Sequence, residues 1–162
     1  ADKMGAKRIG QCEKHDTGVS FYGVYYGQSA LPHAPEPLRY LDNAVIRDLK
    51  VYNAEIKSDI PVYNLSAAAA GRDPYEMFLG GARSIIRITN PNAAKERRLV
   101  VFRDSFGSSI APLLTAGYSE ITLVDIRYIS PSSLGKLIDF TKADDALFLY
   151  SASVINNSGT IK

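Results

Sequence analysis

The sequence predicts an α/β fold of three layers, in which helices cover both faces of a sheet that is parallel in its C-terminal half. Three apolar, β-branched runs support this prediction, at residues 99–102, 120–126 and 146–150. Continuous runs of this kind are typical of strands buried on both faces of a parallel sheet. Two stretches with helical spacing separate them, so the order is βαβαβ and we expect right-handed crossovers.

The two helices of this half are predicted from their apolar faces and their boundaries. The first ends at Gly117 and contains Pro112, which is tolerated only if it falls in the first turn. The second begins at Ser130 and Pro131, and a polar loop at 156–159 follows the last strand. The residues predicted to face the sheet are Ile110, Leu113 and Leu114 in the first helix, and Leu134, Leu137 and Ile138 in the second.

Residues 17–92 predict short strands and loops, rich in tyrosine and proline. Glycines among the β-branched and aromatic residues of 17–27 indicate strands with a bend or bulge. A proline-rich connection follows at 31–37. The further elements predicted here are a helical turn at 38–41, a strand at 44–52, extended pieces at Ile56 and 62–63, a short helix capped by Asp73 and Pro74, and a strand at 84–89.

We interpret all 162 residues as one domain with three parts: a helix tail and linker at 1–16, a strand- and loop-rich insertion at 17–92, and a parallel α/β layer at 93–162. Only three strands and two helices are predicted in the last part. The faces of its sheet must therefore be covered by the first half or by sequence outside this chain. Residues 1–4 with Gly5 look like the last turn of a helix and its glycine stop. We therefore expect the chain to begin inside a longer protein.

Composition excludes several classes of function. Nineteen basic and seventeen acidic residues give a charge of +2, which is too balanced to indicate nucleic acid or an anionic membrane as a partner. No window approaches the roughly 18 to 20 apolar residues of a membrane span, and no signal-peptide pattern is present. Cys12 is the single cysteine and His15 and His33 the only histidines, so no metal-ligand spacing exists. We predict no metal and no cofactor.

Polar residues follow each of the three predicted parallel strands. Asp104 and Ser105 follow the first strand, Asp125 and Arg127 the second, and Asn156 the third. Because open α/β sheets bind ligands at the carboxyl ends of their strands, we expect these side chains to share one rim. A serine near backbone N–H groups and a side-chain amide is the outline of an oxyanion site for acyl transfer.

Each candidate has a structural alternative. An Asp-Ser pair also caps a helix, so Ser105 is either a nucleophile or part of a cap. Asp125 and Arg127 either serve the site or form a structural ion pair. A nucleophilic serine needs a base, and none is evident, because His15 and His33 lie in loop-like segments where histidine is usually only solvated.

The block Arg103-Asp104-Ser105-Phe106 resembles the Gly-Asp-Ser block of SGNH (GDSL-type) hydrolases, with arginine in place of the glycine. The longer strings at residues 99–106 and 120–128 resemble the DHHW family of bacterial, mostly Gram-positive, cell-envelope proteins. Residues 21–26 and 75–81 fit the middle region of that family. It is related to the SGNH-like domains of alginate O-acetyltransferases. The resemblance implies a flavodoxin-like or SGNH-like fold, of which this chain is an incomplete domain, and an extracellular or envelope location.

By this resemblance Ser105 matches the nucleophile, and Asn156 or Asn157 stands about where such proteins place an oxyanion asparagine. The Asp-His motif that names the family precedes the serine block, and this sequence contains no Asp-His-His-Trp. We therefore expect that motif upstream of Ala1. Its role does not transfer to His15, which does not match it.

The resemblance implies a serine esterase or O-acetyltransferase that acts on an acetyl ester of an envelope or extracellular glycan and is inactive as this chain alone. The alternative is a non-catalytic envelope module that binds glycan or protein, which Arg103 and the absent histidine favour. A third interpretation is a receiver or phosphatase-like domain with Asp104 as phosphoryl acceptor. It lacks the second acidic residue that such Mg²⁺ sites hold.

Overall fold

The computed structural model describes residues 2–23, 26, 31–70, 72–157 and 159. The strands within these residues are β1 (Glu13–Phe21), β2 (Glu36–Asp42), β3 (Lys50–Asn53), β4 (Ser58–Ile60), β5 (Ile85–Thr89), β6 (Arg98–Arg103), β7 (Glu120–Val124) and β8 (Asp145–Leu149). The α-helices are α1 (Ala44–Arg47), α2 (Leu65–Ala70), α3 (Gly107–Leu114), α4 (Pro131–Leu137) and α5 (Ala152–Asn156). Six strands form one sheet in the order β4-β3-β5-β7-β6-β8, while β1 and β2 form a second sheet.

The predicted α/β fold is confirmed, with three parallel strands in the C-terminal half. β6 lies between β7 and β8 and pairs in parallel with both. Leu99 and Val101 of β6 pack in the same core as α3, whereas Val100 and Phe102 pack on the other face with α4. The connections from β6 to β7 and from β7 to β8 therefore cross opposite faces of the sheet. This makes the carboxyl ends of β6 and β8 a topological switch point.

Three strands of the N-terminal half, β3, β4 and β5, extend the same sheet as the parallel strands. β5 pairs antiparallel with β7, with Ile86 opposite Leu123, and β3 and β4 continue the sheet outward. Val51, Ile86 and Leu123 are fully buried in one core that contains residues from both halves. The helices that cover this sheet are short: α3, with eight residues, is the longest described. No helix in the described part of the chain could cross a membrane.

The small sheet confirms the bend predicted from its glycines. β1 and β2 pair antiparallel, and their register shifts between Asp16 and Ser20. Gly18 lies in that interval at φ +73°, a left-handed conformation that favours glycine. β1 begins at Glu13, four residues before the predicted start, and positions 24, 25 and 27 of the predicted stretch lie outside the described residues.

Three predictions for the N-terminal half are wrong. Residues 44–52 form α1 and then β3, not one strand, because the Asn43 side chain accepts the Ile46 N–H (3.0 Å) and so caps a helical turn. Residues 38–41 belong to β2, because pairing with β1 outweighs their local preference. Ile56 lies exposed in the turn between β3 and β4.

The helices also differ in detail from their predicted faces. Pro112 is the sixth residue of α3, in its second turn, and the buried side of α3 consists of the small residues Gly107, Ser108 and Ala111 with Pro112. Small residues let the helix approach the sheet closely, which turns Ile110 outward. Leu137 is exposed as well, while Leu134 and Ile138 are buried as predicted. The polar loop predicted at 156–159 starts at Asn157, because Asn156 is the last residue of α5.

Two predicted helix boundaries, one at the start and one at the end of a helical turn, are confirmed. A 3₁₀ helix at Pro74–Met77 follows Asp73, whose side chain accepts the Tyr75 N–H (3.0 Å). Near the N-terminus a 3₁₀ helix at Asp2–Met4 is followed by Gly5 at φ +61°. Further 3₁₀ turns at Thr115–Gly117 and Phe140–Lys142 connect the helices of the C-terminal half to the strands that follow.

Candidate functional site

The polar residues predicted to share a rim follow strands that end at the same edge of the sheet. Phe102 of β6 lies in register with Val124 of β7 and with Phe148 of β8, so the segments that leave these strands start side by side. They carry Asp104 and Ser105 after β6, Asp125 after β7 and Ser151 after β8. Ser105 therefore lies at the switch point, the place in an open α/β sheet where ligands bind.

Asp104 ties two of these segments together. Its side chain is almost completely buried. One carboxylate oxygen, Oδ1, accepts the Phe106 N–H (3.1 Å), and the other, Oδ2, accepts the Ser151 N–H (2.7 Å). The first bond closes the turn that carries Ser105, and the second connects that turn to the segment after β8. Asp104 thus acts on the backbone around Ser105, as a turn and capping residue does.

Ser105 is half-buried between β6 and α3. Its carbonyl oxygen accepts the Ser108 N–H (3.0 Å), which starts the helical turn. Its side chain does not cap α3, because the N-cap position is Phe106 and no side chain bonds there. Within the described part of the chain, neither the Ser105 hydroxyl nor its backbone N–H has a hydrogen-bond partner. Both groups are thus available to a bound molecule.

Arg103 fills the space beneath this turn. It is fully buried, and its guanidinium donates to the carbonyl oxygens of Asp104 (3.3 Å) and Arg83 (3.4 Å). A methyl group added to Gly107 would lie 2.7 Å from Arg103 Cβ, so the start of α3 can pass over this arginine only with glycine at that position. Burial lowers the pKa of Arg103, while the nearby Asp125 carboxylate opposes that shift.

Asp125 and Arg127 form an ion pair at the end of β7. Arg127 Nε donates to one carboxylate oxygen of Asp125 (2.9 Å), and Arg127 Nη2 donates to the other (2.6 Å). The bond to Asp125 raises the pKa of Arg127. Arg103 Nη1 lies 3.9 Å from the same fully buried carboxylate, so two guanidinium groups share it. Arg127 retains some exposure, which places one cation of this cluster at the surface.

Tyr75 is a site residue that the sequence reasoning did not identify. Its hydroxyl oxygen lies 2.9 Å from Ser109 Oγ and 3.3 Å from the Phe106 carbonyl oxygen. Its ring stacks on Phe21 from β1, with centroids 5.9 Å apart. Burial raises the pKa of Tyr75, so its phenol stays protonated and able to donate. In the sequence, Tyr75 is marked only as the first residue of the block 75–81, which resembles the DHHW family.

The two histidines lie elsewhere. His15 belongs to β1, where its ring stacks on Tyr40 (5.0 Å between centroids) and its Nε2 lies 3.6 Å from a Glu13 carboxylate oxygen. His33 is exposed in the connection before β2. In the described residues neither histidine makes a hydrogen bond with Ser105, and no group of three or more histidine, cysteine, aspartate and glutamate side chains could hold a metal ion.

Asn156 and Asn157 lie at the far end of α5. α5 follows Ser151 directly, so its last residue, Asn156, lies about 7.5 Å from Ser151 along the helix axis. Both asparagines are exposed, and Asn157 Nδ2 donates to the Ser153 carbonyl oxygen (3.1 Å). α5 thus begins beside the serine turn and carries Asn156 away from that starting point.

Comparison with known proteins supports the fold. No family model and no curated protein matches the sequence. Among solved structures, Bacillus cereus PatB1 with a sulfonyl adduct superimposes with a TM-score of 0.67 and 18% identity, over 94% of this chain and 53% of that chain. A DHHW family protein from Eubacterium siraeum gives 0.66 and 19%, over 98% and 54%. A second PatB1 structure gives 0.63 and 19%, over 90% and 50%.

These structures confirm that the chain has the fold of a DHHW family protein and of PatB1, which agrees with the resemblance read from the serine block. The chain spans about half the length of each of them. At identities below 20%, the likeness extends to the fold and leaves the chemistry to be argued from the residues themselves.

We expect Asp104→Ala to lower the free energy of unfolding by about 2–5 kcal/mol, because it leaves the Phe106 and Ser151 N–H groups without their charged acceptor. Urea unfolding followed by circular dichroism measures this change. The matched control is Asp139→Ala, since Asp139 also accepts a backbone N–H, from Thr141, but is exposed. An equal loss in both variants would contradict the role assigned to Asp104.

We expect Gly107→Ala to lower the free energy of unfolding by about 1–3 kcal/mol, because the new methyl group would clash with Arg103. Gly135→Ala in α4 is the control. A methyl group there meets nothing within 4 Å, so better helix propensity raises stability by up to about 1 kcal/mol. The two changes therefore have opposite signs in a urea titration, and a stabilising Gly107→Ala would refute the close approach.

Proposed function

We propose that this chain carries the nucleophile of an SGNH-like serine esterase or O-acetyltransferase that acts on acetyl groups of an envelope or extracellular glycan. The observation that carries the proposal is the position of Ser105. It follows the central parallel strand at the switch point, on a turn fixed by the buried Asp104, with a hydroxyl that the described residues leave unused. Structural caps use their hydroxyls, whereas a nucleophile must keep its own available.

In the proposed reaction Ser105 Oγ attacks the acetyl carbonyl carbon and gives up its proton to a base. The ester C–O bond then breaks, the alcohol leaves with a proton, and an acetyl-serine remains. Water completes hydrolysis, or a sugar hydroxyl completes transfer. The Ser105 N–H has no acceptor among the described residues and is suited to hold the oxyanion. Asn156 lies at the far end of α5, so we assign it no part in this step. We assign Asp104 a positioning role, and the same role to Asp125 and Arg127.

The base is proposed to come from another segment of the same polypeptide. His15 is held by Tyr40 and Glu13, and His33 lies in the exposed connection before β2. The PatB1 comparison supports this arrangement, because about half of that protein lies outside the matched region.

A second candidate function is a non-catalytic envelope module with the same fold. One observation favours it: within the described residues no imidazole is hydrogen-bonded to Ser105. Such a module would bind a glycan at the same rim without turning over its esters. The two functions differ in a single measurable property, the dependence of ester turnover on the Ser105 hydroxyl.

In the complete encoded polypeptide, Ser105→Ala is expected to lower the rate of acetyl-ester turnover at least about 10³-fold, because no acyl-enzyme can form. Release of acetate or p-nitrophenol measures the rate. Ser132→Ala, at an exposed position of α4, serves as the control and is expected to keep full turnover. Unchanged turnover in Ser105→Ala would refute the esterase assignment.

The 162 residues on their own are expected to show little or no turnover and slow labelling of Ser105 by a phenylmethanesulfonyl reagent, because the base is missing. Intact mass spectrometry gives the labelling rate against that of the complete polypeptide. Robust hydrolysis by the isolated chain would mean that it supplies its own base, and His15→Ala and His33→Ala would then identify which histidine does so.

A further inference from the structure

A small cavity lies at the opposite edge of the sheet from Ser105. It has a volume of about 240 Å³ and is formed by residues 5–7, the bend before β6 and the 3₁₀ turn before β7. Arg97 in its wall directly precedes β6, whereas Ser105 follows that strand. The strand is about 20 Å long, so the cavity is separate from the candidate site. It is smaller than the roughly 300–1,000 Å³ of pockets for drug-sized ligands, and it suits an ion or a small group.

The wall of this cavity carries cations and no carboxylate. Its charged residues are Lys7, Lys95 and Arg97. The rest of the wall consists of glycine and alanine residues together with Tyr118, and no aspartate or glutamate lines it among the residues that the structure describes. A cavity lined by charge of one sign attracts the opposite sign, which here is an anion.

The two lysines supply the free charge of the wall. Within the described ranges neither Lys7 nor Lys95 has an ion pair or a side-chain hydrogen bond, and both are exposed. By contrast, Lys142 on the other face of the sheet lies 3.5 Å from an Asp139 carboxylate oxygen. Each ammonium has three donors, so Lys7 and Lys95 can both bond to the oxygens of one anion.

Arg97 has a different part, because its donors are already in use. Its Nη1 donates to the Gly5 carbonyl oxygen (3.1 Å), and its Nη2 donates to the Met4 carbonyl oxygen (2.6 Å). Nη2 also lies 2.7 Å from an Asp145 carboxylate oxygen, which neutralises the guanidinium. Arg97 therefore fastens the N-terminal segment to the start of β6 and leaves the anion to the lysines.

The segment that carries Lys7 also packs tightly on the turn before β7. A methyl group added to Gly117 would lie 2.8 Å from Ala6 Cβ and 3.0 Å from the Lys7 carbonyl oxygen. Ala6 is buried in the same core as Tyr118. The Lys7 backbone is thus fixed at the cavity wall before a ligand arrives, so binding has to order only its side chain.

Backbone donors lie on the other side of the cavity. Ala94 and Lys95 belong to the bend before β6, and in the described part of the chain their N–H groups have no acceptor. Hydrogen bonds from N–H groups and ammonium groups to an oxyanion are charge-assisted and are stronger than neutral ones. The cavity therefore offers donors from two segments, residues 5–7 and 93–95.

We propose that this cavity binds a phosphate group, held by the ammonium groups of Lys7 and Lys95 and by the N–H groups of Ala94 and Lys95. Phosphate oxygens point in several directions and can accept from donors on both sides. A phosphate monoester carries about −1.5 to −2 charges at pH 7, which matches the two lysines. The site is independent of Ser105 and of the reaction proposed for it. Free phosphate and a phosphodiester share this chemistry, and the titrations below distinguish them.

The test titrates the complete polypeptide, labelled with ¹⁵N, with inorganic phosphate and separately with the diester glycerophosphoglycerol. Low ionic strength is used because salt screens exposed charges. Lys7→Gln and Lys95→Gln are each expected to raise the Kd about tenfold, since each removes a hydrogen bond to a charged group. Lys95→Arg keeps the charge and is expected to retain most of the affinity. The matched control is Lys136→Gln, which removes the same charge from an exposed position of α4.

The amide resonances locate the bound anion. Those of Ala94 and Lys95 are expected to shift most, and to saturate with the same Kd. A lower Kd for inorganic phosphate assigns the site to free phosphate, and a lower Kd for the diester assigns it to a phosphodiester; both results support the proposal. Absence of saturable binding, largest shifts elsewhere, an equal loss in Lys136→Gln, or acetate binding as tightly as phosphate would each overturn it.

Discussion

The buried carboxylate of Asp104 is the constraint on which the candidate site depends. A carboxylate buried away from water is unfavourable unless its oxygens are bonded, and here one oxygen takes the Phe106 N–H and the other takes the Ser151 N–H. These two donors belong to segments that leave different strands. The bonds therefore fix the turn after β6 against the segment after β8, and Ser105 lies in that turn with its own hydroxyl unengaged within the described residues.

Arg103 lies beneath the turn, at the position where the Gly-Asp-Ser block of SGNH hydrolases has glycine. Arg103 is fully buried and shares the Asp125 carboxylate with Arg127, so a cation lies in the core directly under the serine turn. Its guanidinium lies 3.9 Å from that carboxylate and donates to the carbonyl oxygens of Asp104 and Arg83, which offsets part of the cost of burying the charge. Gly107 then becomes necessary for a steric reason, since any side chain there would collide with Arg103. The arginine and the glycine are thus one structural unit.

The parts of the fold that local sequence specifies were predictable, and those that depend on distant partners were not. The runs of β6 and β7 are apolar enough to identify buried strands, and Gly18 correctly predicted a bend. β2 was missed because pairing with β1, more than local preference, makes it a strand. The alternation of apolar residues at 44–52 predicts a strand, but the Asn43 side chain caps a helical turn there and makes it α1. At the candidate site, the place of Ser105, Asp104 and the Asp125–Arg127 pair after buried strands is visible in the sequence, whereas the helix that separates Asn156 from the third strand is not.

Tyr75 shows why the remainder of the site lay beyond sequence reasoning, and it changes how the N-terminal half is understood. It lies 34 residues from Ser109 along the chain, yet their side-chain oxygens are 2.9 Å apart. Its phenol also reaches the Phe106 carbonyl oxygen, and its ring packs on Phe21 from the small sheet. Residues that cover the larger sheet from the N-terminal half therefore hold the first turn of α3 in place. The strand- and loop-rich half is part of what positions Ser105, because the turn is fixed from one side by Asp104 and from the other by Tyr75.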